Sequence, residues 1–227
     1  MKNVQFLLLR FFCLFGFVCS FAFLFIMFPA SRNGFSSLRA FSHLSKLQVE
    51  GARVPGSAAH AYSINYIFGQ LQNHGWKVEI QTGVVNGHDY QNILARRDSS
   101  PLKILIGSHY DSRLVADRDP DPRFRTYPVP GVNDGGSSTA ILLELARIIP
   151  PCHSEGLGFV FFDIEDQGNI AGWDWIMGSR EFVRINPEMP EMIILVDMVG
   201  GHIQTIQPPE NSDPLIYKGI QSVAQKL

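Results

Sequence analysis

The chain has 227 residues, with 19 Lys plus Arg against 21 Asp plus Glu. So even a balance excludes a chain-wide basic field for nucleic acid. The length fits one α/β domain with a real core behind an apolar N-terminus, not two full domains.

Phe11 to Phe28 is apolar except for Ser20, with Lys2 and Arg10 before it and Arg32 and Arg39 after it. As a helix this run would reach ~27 Å, close to the hydrocarbon thickness of a bilayer. It predicts an N-terminal hydrophobic helix over residues 1–34, as a signal anchor (transmembrane helix) or a secretory signal peptide. Pro29-Ala30-Ser31 is a mediocre cleavage site, which favours the anchor. Either form exports the domain at 35–227, membrane-anchored through the N-terminal segment or secreted. Cys13 and Cys19 lie in the apolar run, so Cys152 has no internal disulfide partner and does not report the compartment.

Ser36 to Gln48 is expected to form a short helix with Leu38, Phe41, Leu44 and Leu47 inward. Gly51-Ala52-Arg53-Val54-Pro55-Gly56-Ser57 is a turn-rich loop, and Ser57 can cap a helix to about Asn73. That helix places Ala61, Ile64, Ile67, Phe68 and Leu71 on one side. Lys77 to Thr82 and Gln91 to Arg96 read as strands, with Val78 and Ile80 inward. Leu102 to Ile106, Gly158 to Phe162 and Met192 to Val196 are nearly continuous apolar runs, expected to be strands covered on both faces. A proline-rich loop spans Arg113 to Pro130, a helix runs from about Ser137 to Ile149, and helical periodicity returns from Asp213, with Ile216, Ile220, Val223 and Leu227 on one stripe.

Polar residues of metal-binding type follow each apolar strand. They are His109 and Asp111 after the first, Glu165 and Asp166 after the second, and Asp197 after the third; Asp134 sits between Asn133 and Gly135-Gly136 just before a helix. In an open α/β sheet the carboxyl ends of the strands are where ligands bind. Imidazole with carboxylates is a normal zinc shell. His109 and Asp111, two apart in extended chain, face the same way, so Asp111 can orient the imidazole. Asp134, flanked by glycine, can approach two metals closely. Glu165 is long enough to serve as a general base while Asp166 stays on metal. Asp163 alternates away and reads as structural.

Gly107-Ser108-His109-Tyr110-Asp111-Ser112, Gly131 to Ser138, Phe162 to Gly168, Gly178-Ser179-Arg180 and Val196-Asp197-Met198-Val199-Gly200 resemble the co-catalytic zinc aminopeptidases, with Gly51 to Ser57 similar as well. Glutaminyl cyclases share that fold. The resemblance covers roughly residues 36 to 227. It implies a three-layer αβα sandwich with a mostly parallel mixed sheet, of the zinc exopeptidase (phosphorylase/hydrolase-like) type. It implies two Zn2+ ions: His109 and Asp197 on one, Asp166 on the other, and Asp134 bridging. Glu165 would be the general base, Asp111 would orient His109, and the peptide bond after Asp134 would be cis. The implied activity is hydrolysis of the N-terminal peptide bond of peptides with a free N-terminus, through water activated by Glu165.

The family's last ligand is a histidine well beyond Val196–Gly200, and His202 follows Asp197 too closely to match it. With the stripe at 216–227 unfinished, the chain reads as C-terminally incomplete rather than as a crippled form. Two alternatives stay open: a glutaminyl-peptide cyclotransferase, and a noncatalytic binding module of this fold. The insert Gln167 to Met177, which holds Trp173 and Trp175, blurs the distinction from the cyclases. Those tryptophans and the 113–130 loop either line the cleft or pack.

Overall fold

The computed structural model describes residues 34–202 and 207–226. The expected hydrophobic helix over 1–34 lies almost wholly outside them. Among the described residues no helix is long and apolar enough to cross a membrane.

Five strands form one mixed sheet in the order β1-β2-β4-β3-β5. They are β1 (Lys77–Val85), β2 (His88–Arg96), β3 (Ile104–His109), β4 (Leu157–Phe162) and β5 (Met192–Leu195). β1 with β2 and β2 with β4 run antiparallel, whereas β3 lies parallel to both β4 and β5. "Mostly parallel" therefore fits only the β4-β3-β5 half. The antiparallel half is a hairpin closed at Asn86-Gly87, where both residues take positive φ, as a tight two-residue turn requires.

Strand alternation divides the core into two layers. Ile93, Ala95, Phe159 and Phe161 face helices α1 (Ser37–Leu47), α2 (Ala58–Asn73) and α3 (Gly136–Ile148), packing with Leu47, Ile64, Ile67, Leu71, Leu142 and Leu143. Leu94, Leu105, Val160 and Phe162 face the other way, onto Phe182 of α4 (Met177–Ile185). Full burial of a Leu, Ile, Val or Phe side chain contributes about 1.5–3 kcal/mol. Trp76 closes one end of the larger layer: its ring meets Phe159 edge-on at 4.9 Å, and its indole N–H donates to the Ala146 carbonyl at 2.9 Å.

Side-chain caps mark the starts of some helices. Ser57 accepts from the His60 amide at 3.1 Å. Asp213 accepts from Leu215 and Ile216 at the start of α5 (Pro214–Ala224).

Three expectations about faces need correction. In α1 the buried residues are Ala40, His43 and Leu47, while Leu38 is 81% and Phe41 66% exposed. The buried stripe is turned because His43 bonds the Tyr66 hydroxyl at 2.8 Å, a contact that hydropathy does not score. In α2, Ala61 is exposed and Phe68 only half-buried. β5 is an edge strand: Ile193 and Leu195 are exposed, and Met192 and Ile194 share an open apolar groove with Leu215, Ile216, Ile220 and Val223. Leu227 lies outside the described residues.

Candidate active site

His109 ends β3 and is buried. Its Nδ1 lies 3.2 Å from Asp111 Oδ1, and its Nε2 lies 2.9 Å from Asp134 Oδ1 and 3.4 Å from Asp197 Oδ1. Burial opposes protonation of the ring, but its hydrogen bonds to the carboxylates of Asp111, Asp134 and Asp197 prevail and hold its pKa well above the usual value.

Asp134 comes this close because of Gly135. That glycine has φ +69, and a Cβ there would lie 2.7 Å from the His109 ring. Asp134 does not cap α3, whose N-cap is Gly135 without a side-chain cap bond. The expected cis bond after Asp134 is absent, since every described peptide bond is trans; the left-handed Gly135 turns the chain instead. Asp197 follows β5 and is locked to the same turn. The Val199 amide donates to Ser137 Oγ at 3.1 Å, and that of Gly200 to Asn133 Oδ1 at 2.7 Å.

Asp111, fully buried, ties the second loop to the first. Besides facing His109 it accepts from the backbone amides of Glu165 and Asp166 and from Gln167 Nε2. Burial would raise its pKa, but these donors and His109 lower it overall. Ile164 turns the chain out of β4 at φ 44, a left-handed conformation unusual for a β-branched residue and typical of functional sites. Glu165 is pushed up to about 7, chiefly by burial and then by Asp111, Asp166 and Asp197 against the pull of His109. Asp166 is also raised to about 7, by burial and by the charges of Asp134 and Asp111. Asp166 stands apart from the His109 cluster, with its Oδ1 3.6 Å from Arg113 Nη1.

Arg53 stands at the site although the sequence did not single it out as a site residue. It is fully buried and donates to the backbone carbonyls of Tyr110, Pro130, Gly131 and Asp134, and the Gln48 side-chain amide, turned to suit its neighbours, accepts from Nη1 as well; burial lowers its pKa to about 10, partly offset by Asp111 and Asp134. Asp163 is structural, as expected. It accepts from His60 Nε2 at 2.7 Å and from the amides of Gln91 and Ile164. Trp173 stacks on His88 with ring centroids 3.5 Å apart, and the Arg113 guanidinium lies 5.0 Å from the Trp175 ring. Both tryptophans of the insert therefore have packing partners.

His109, Asp134 and Asp197 each offer a ligand atom, and these atoms lie within 4.8 Å of one another. An imidazole with two carboxylates suits zinc, and the surrounding carboxylates of Asp111, Glu165 and Asp166 suit a positive ion. The donor set thus fits zinc.

Sheet, layers and donor set together define an α/β protein of the zinc exopeptidase type, a class of zinc-dependent hydrolytic or cyclising enzymes. The chain belongs to peptidase family M28, whose family model matches residues 92–225. The Zn-dependent exopeptidase of Parabacteroides distasonis is 32% identical with a TM-score of 0.68, over 77% of this chain and 65% of that one. The glutaminyl cyclase of Tannerella forsythia is 33% identical with a TM-score of 0.65, over 74% of this chain and 63% of that one. Leupeptin-inactivating enzyme 1 of Streptomyces exfoliatus is 27% identical over 70% of this chain and 35% of its own length. The chain thus spans less than two thirds of each of these proteins.

Proposed function

We propose that the protein is a zinc-dependent aminopeptidase, acting on peptides with a free N-terminus. The observation that carries this reading is the convergence of His109, Asp134 and Asp197 on one point. These three would hold one zinc, and Asp166 with the shared Asp134 would hold a second. Zinc in that place supplies a Lewis acid for the scissile carbonyl and makes water more acidic.

The chain's own residues do the rest. Glu165, with a pKa of about 7, is suited to take a proton from the attacking water and return it to the leaving amine. Asp111 orients the His109 ring through Nδ1 and fixes the Glu165 backbone. The carboxylates around the cleft attract the free α-ammonium group of a peptide.

A second reading is cyclisation of an N-terminal glutamine. The long insert with its two packed tryptophans favours it, as does the likeness to the Tannerella cyclase. Glu165 would then move a proton from the α-amine to the departing ammonia. The zinc-loaded protein should be given a glutaminyl peptide and an alanyl peptide. Free amino acids from both support the peptidase. Ammonia release from the glutaminyl peptide, with its chain uncut, supports the cyclase. Neither product from zinc-loaded protein sinks both readings.

The apolar segment at 11–28 completes the proposal: an enzyme exported from the cytoplasm, anchored or secreted.

A further inference from the structure

Arg53 comes from the loop Gly51 to Ser57, a segment to which the catalytic reading gives no role. Its side chain is fully buried. A buried guanidinium is costly unless its donors are satisfied. Among the described residues no carboxylate pairs with it directly. Its bonds go instead to carbonyls in two segments, and the Gln48 side-chain oxygen, itself on a residue that donates to Pro130 O, accepts from Nη1. Nε donates to Tyr110 O at 2.7 Å, next to His109. Nη2 donates to Gly131 O at 2.6 Å and to Asp134 O at 3.4 Å, and Nη1 to Pro130 O at 3.4 Å. The Arg53 carbonyl in turn accepts from the Ser112 amide at 3.1 Å. Gly131 makes room for the fork, since a Cβ there would lie 2.9 Å from Arg53 Nη2.

We infer that Arg53 is a positioning residue for the metal centre: its guanidinium braces the His109 strand end against the Asp134 turn, so the ligands stand ready before a metal enters. The inference rests on the zinc reading of the His109, Asp134 and Asp197 cluster. The planar fork matters because its donors diverge in fixed directions toward both segments. An ammonium on a flexible stem keeps the charge but cannot hold that spacing. The charge itself acts on Asp111 and Asp134 and offsets their mutual repulsion.

The test is zinc affinity, measured by competition with a chelator, alongside the melting temperature of the metal-free protein. Arg53→Lys is compared with Arg97→Lys. Arg97 also donates to backbone carbonyls, those of Ile149 and His74, but lies outside the cluster. Arg53→Lys should weaken zinc binding about 10–100-fold, the usual loss when a group supporting a metal ligand is removed. Arg97→Lys should lose melting temperature without losing affinity. Equal zinc affinity for Arg53→Lys and the parent overturns the inference, as does an equal loss in both variants.

Should Arg53→Lys not fold, the parent protein still decides. The Arg53 Nε–H resonance should be resolved and slow to exchange in the metal-free protein and unchanged by zinc. A resonance that appears only after zinc is added overturns the preformed brace. A parent that binds no zinc overturns the metal-centre reading itself, a result distinguishable from the others.

Discussion

Asp111 accepts the backbone amide of Glu165 at 3.1 Å through both carboxylate oxygens. One buried side chain thereby couples the loop after β3 to the loop after β4. The orientation of His109 and the placement of Glu165 are not independent.

Asp111→Asn should disturb both together. The amide presents donors where its partners also donate, so at least one of these bonds is lost. Zinc affinity should fall about 10–100-fold, in line with other groups that orient a ligating histidine. Turnover at saturating zinc should fall as well, because the Glu165 amide loses an acceptor. Unchanged turnover in zinc-loaded Asp111→Asn would show that Asp111 does not place Glu165.

Zinc should stabilise the fold measurably. In the metal-free protein burial, and after it the charge of neighbouring carboxylates, raises Glu165 and Asp166, and a bound cation relieves both. An ion that binds only the native state adds about 2.7 kcal/mol at a hundred times its dissociation constant. The melting temperature should rise with zinc and return on chelation. The shift should vanish in His109→Ala. An equal shift in that variant would place the metal elsewhere.

Acid sensitivity should have one source far from the cleft. The Glu144 side chain is buried, bonds Arg147 through both oxygens and accepts the Ser36 amide at 2.8 Å. Burial raises its pKa, but Arg147, Ser36 and His43 lower it overall. A carboxylate held below its unfolded value contributes stability at pH values above that value. The contribution is lost as pH falls through the folded value. Glu144→Gln should therefore cost about 1.5–3 kcal/mol near neutrality and flatten the stability curve below about pH 4.3. A variant as acid-labile as the parent would assign that lability to other groups.

Much of this geometry could be read from residue order, and its gaps have physical causes. The strand ends and the glycine-flanked Asp134 were legible because a polar residue directly after an apolar strand has few core explanations. Arg53 was not, because most of its partners are backbone carbonyls, which carry no residue identity. The α1 face was misread because His43 buries itself through a hydrogen bond, and Leu38 and Phe41 outweigh it in any hydropathy pattern. The exposure of β5 was hidden for another reason: Met192 to Leu195 is as apolar as β4, and composition does not tell an edge strand from a central one. The turn at Asp134 is made here by the φ of Gly135, which residue order alone does not give.

Export can be tested apart from catalysis. Residues 11–28 form an apolar run flanked by basic residues, and such a layout is read by the export machinery. A reporter enzyme that works only outside the cytoplasm, fused after Asn33, should be active. Retention in washed membranes indicates the anchor, and release to the medium or periplasm indicates cleavage. Inactive reporter, present at normal levels inside the cell, rejects both.

Glu165 offers the sharpest separation of base from ligand. Glu165→Gln leaves His109, Asp134 and Asp197 in place, and the amide nearly matches the carboxylate in shape. Zinc content should stay at the parental level. The amide cannot accept a proton from water or an amine, so turnover should fall by about 10²–10⁴-fold. Asp134→Asn should behave differently, because it removes a carboxylate from the cluster around His109 Nε2. Zinc content and turnover should then fall together. The comparison needs zinc per protein and rate for both variants, on whichever peptide the parent converts. The pH profile adds a check. Glu165 sits near 7 through burial and neighbouring carboxylates, and a bound cation would pull it lower. The acidic limb of kcat/KM should therefore lie at or below about pH 7 in the parent and disappear in the residual activity of Glu165→Gln. Wild-type turnover in Glu165→Gln would end its assignment as the base, however well the ligands converge.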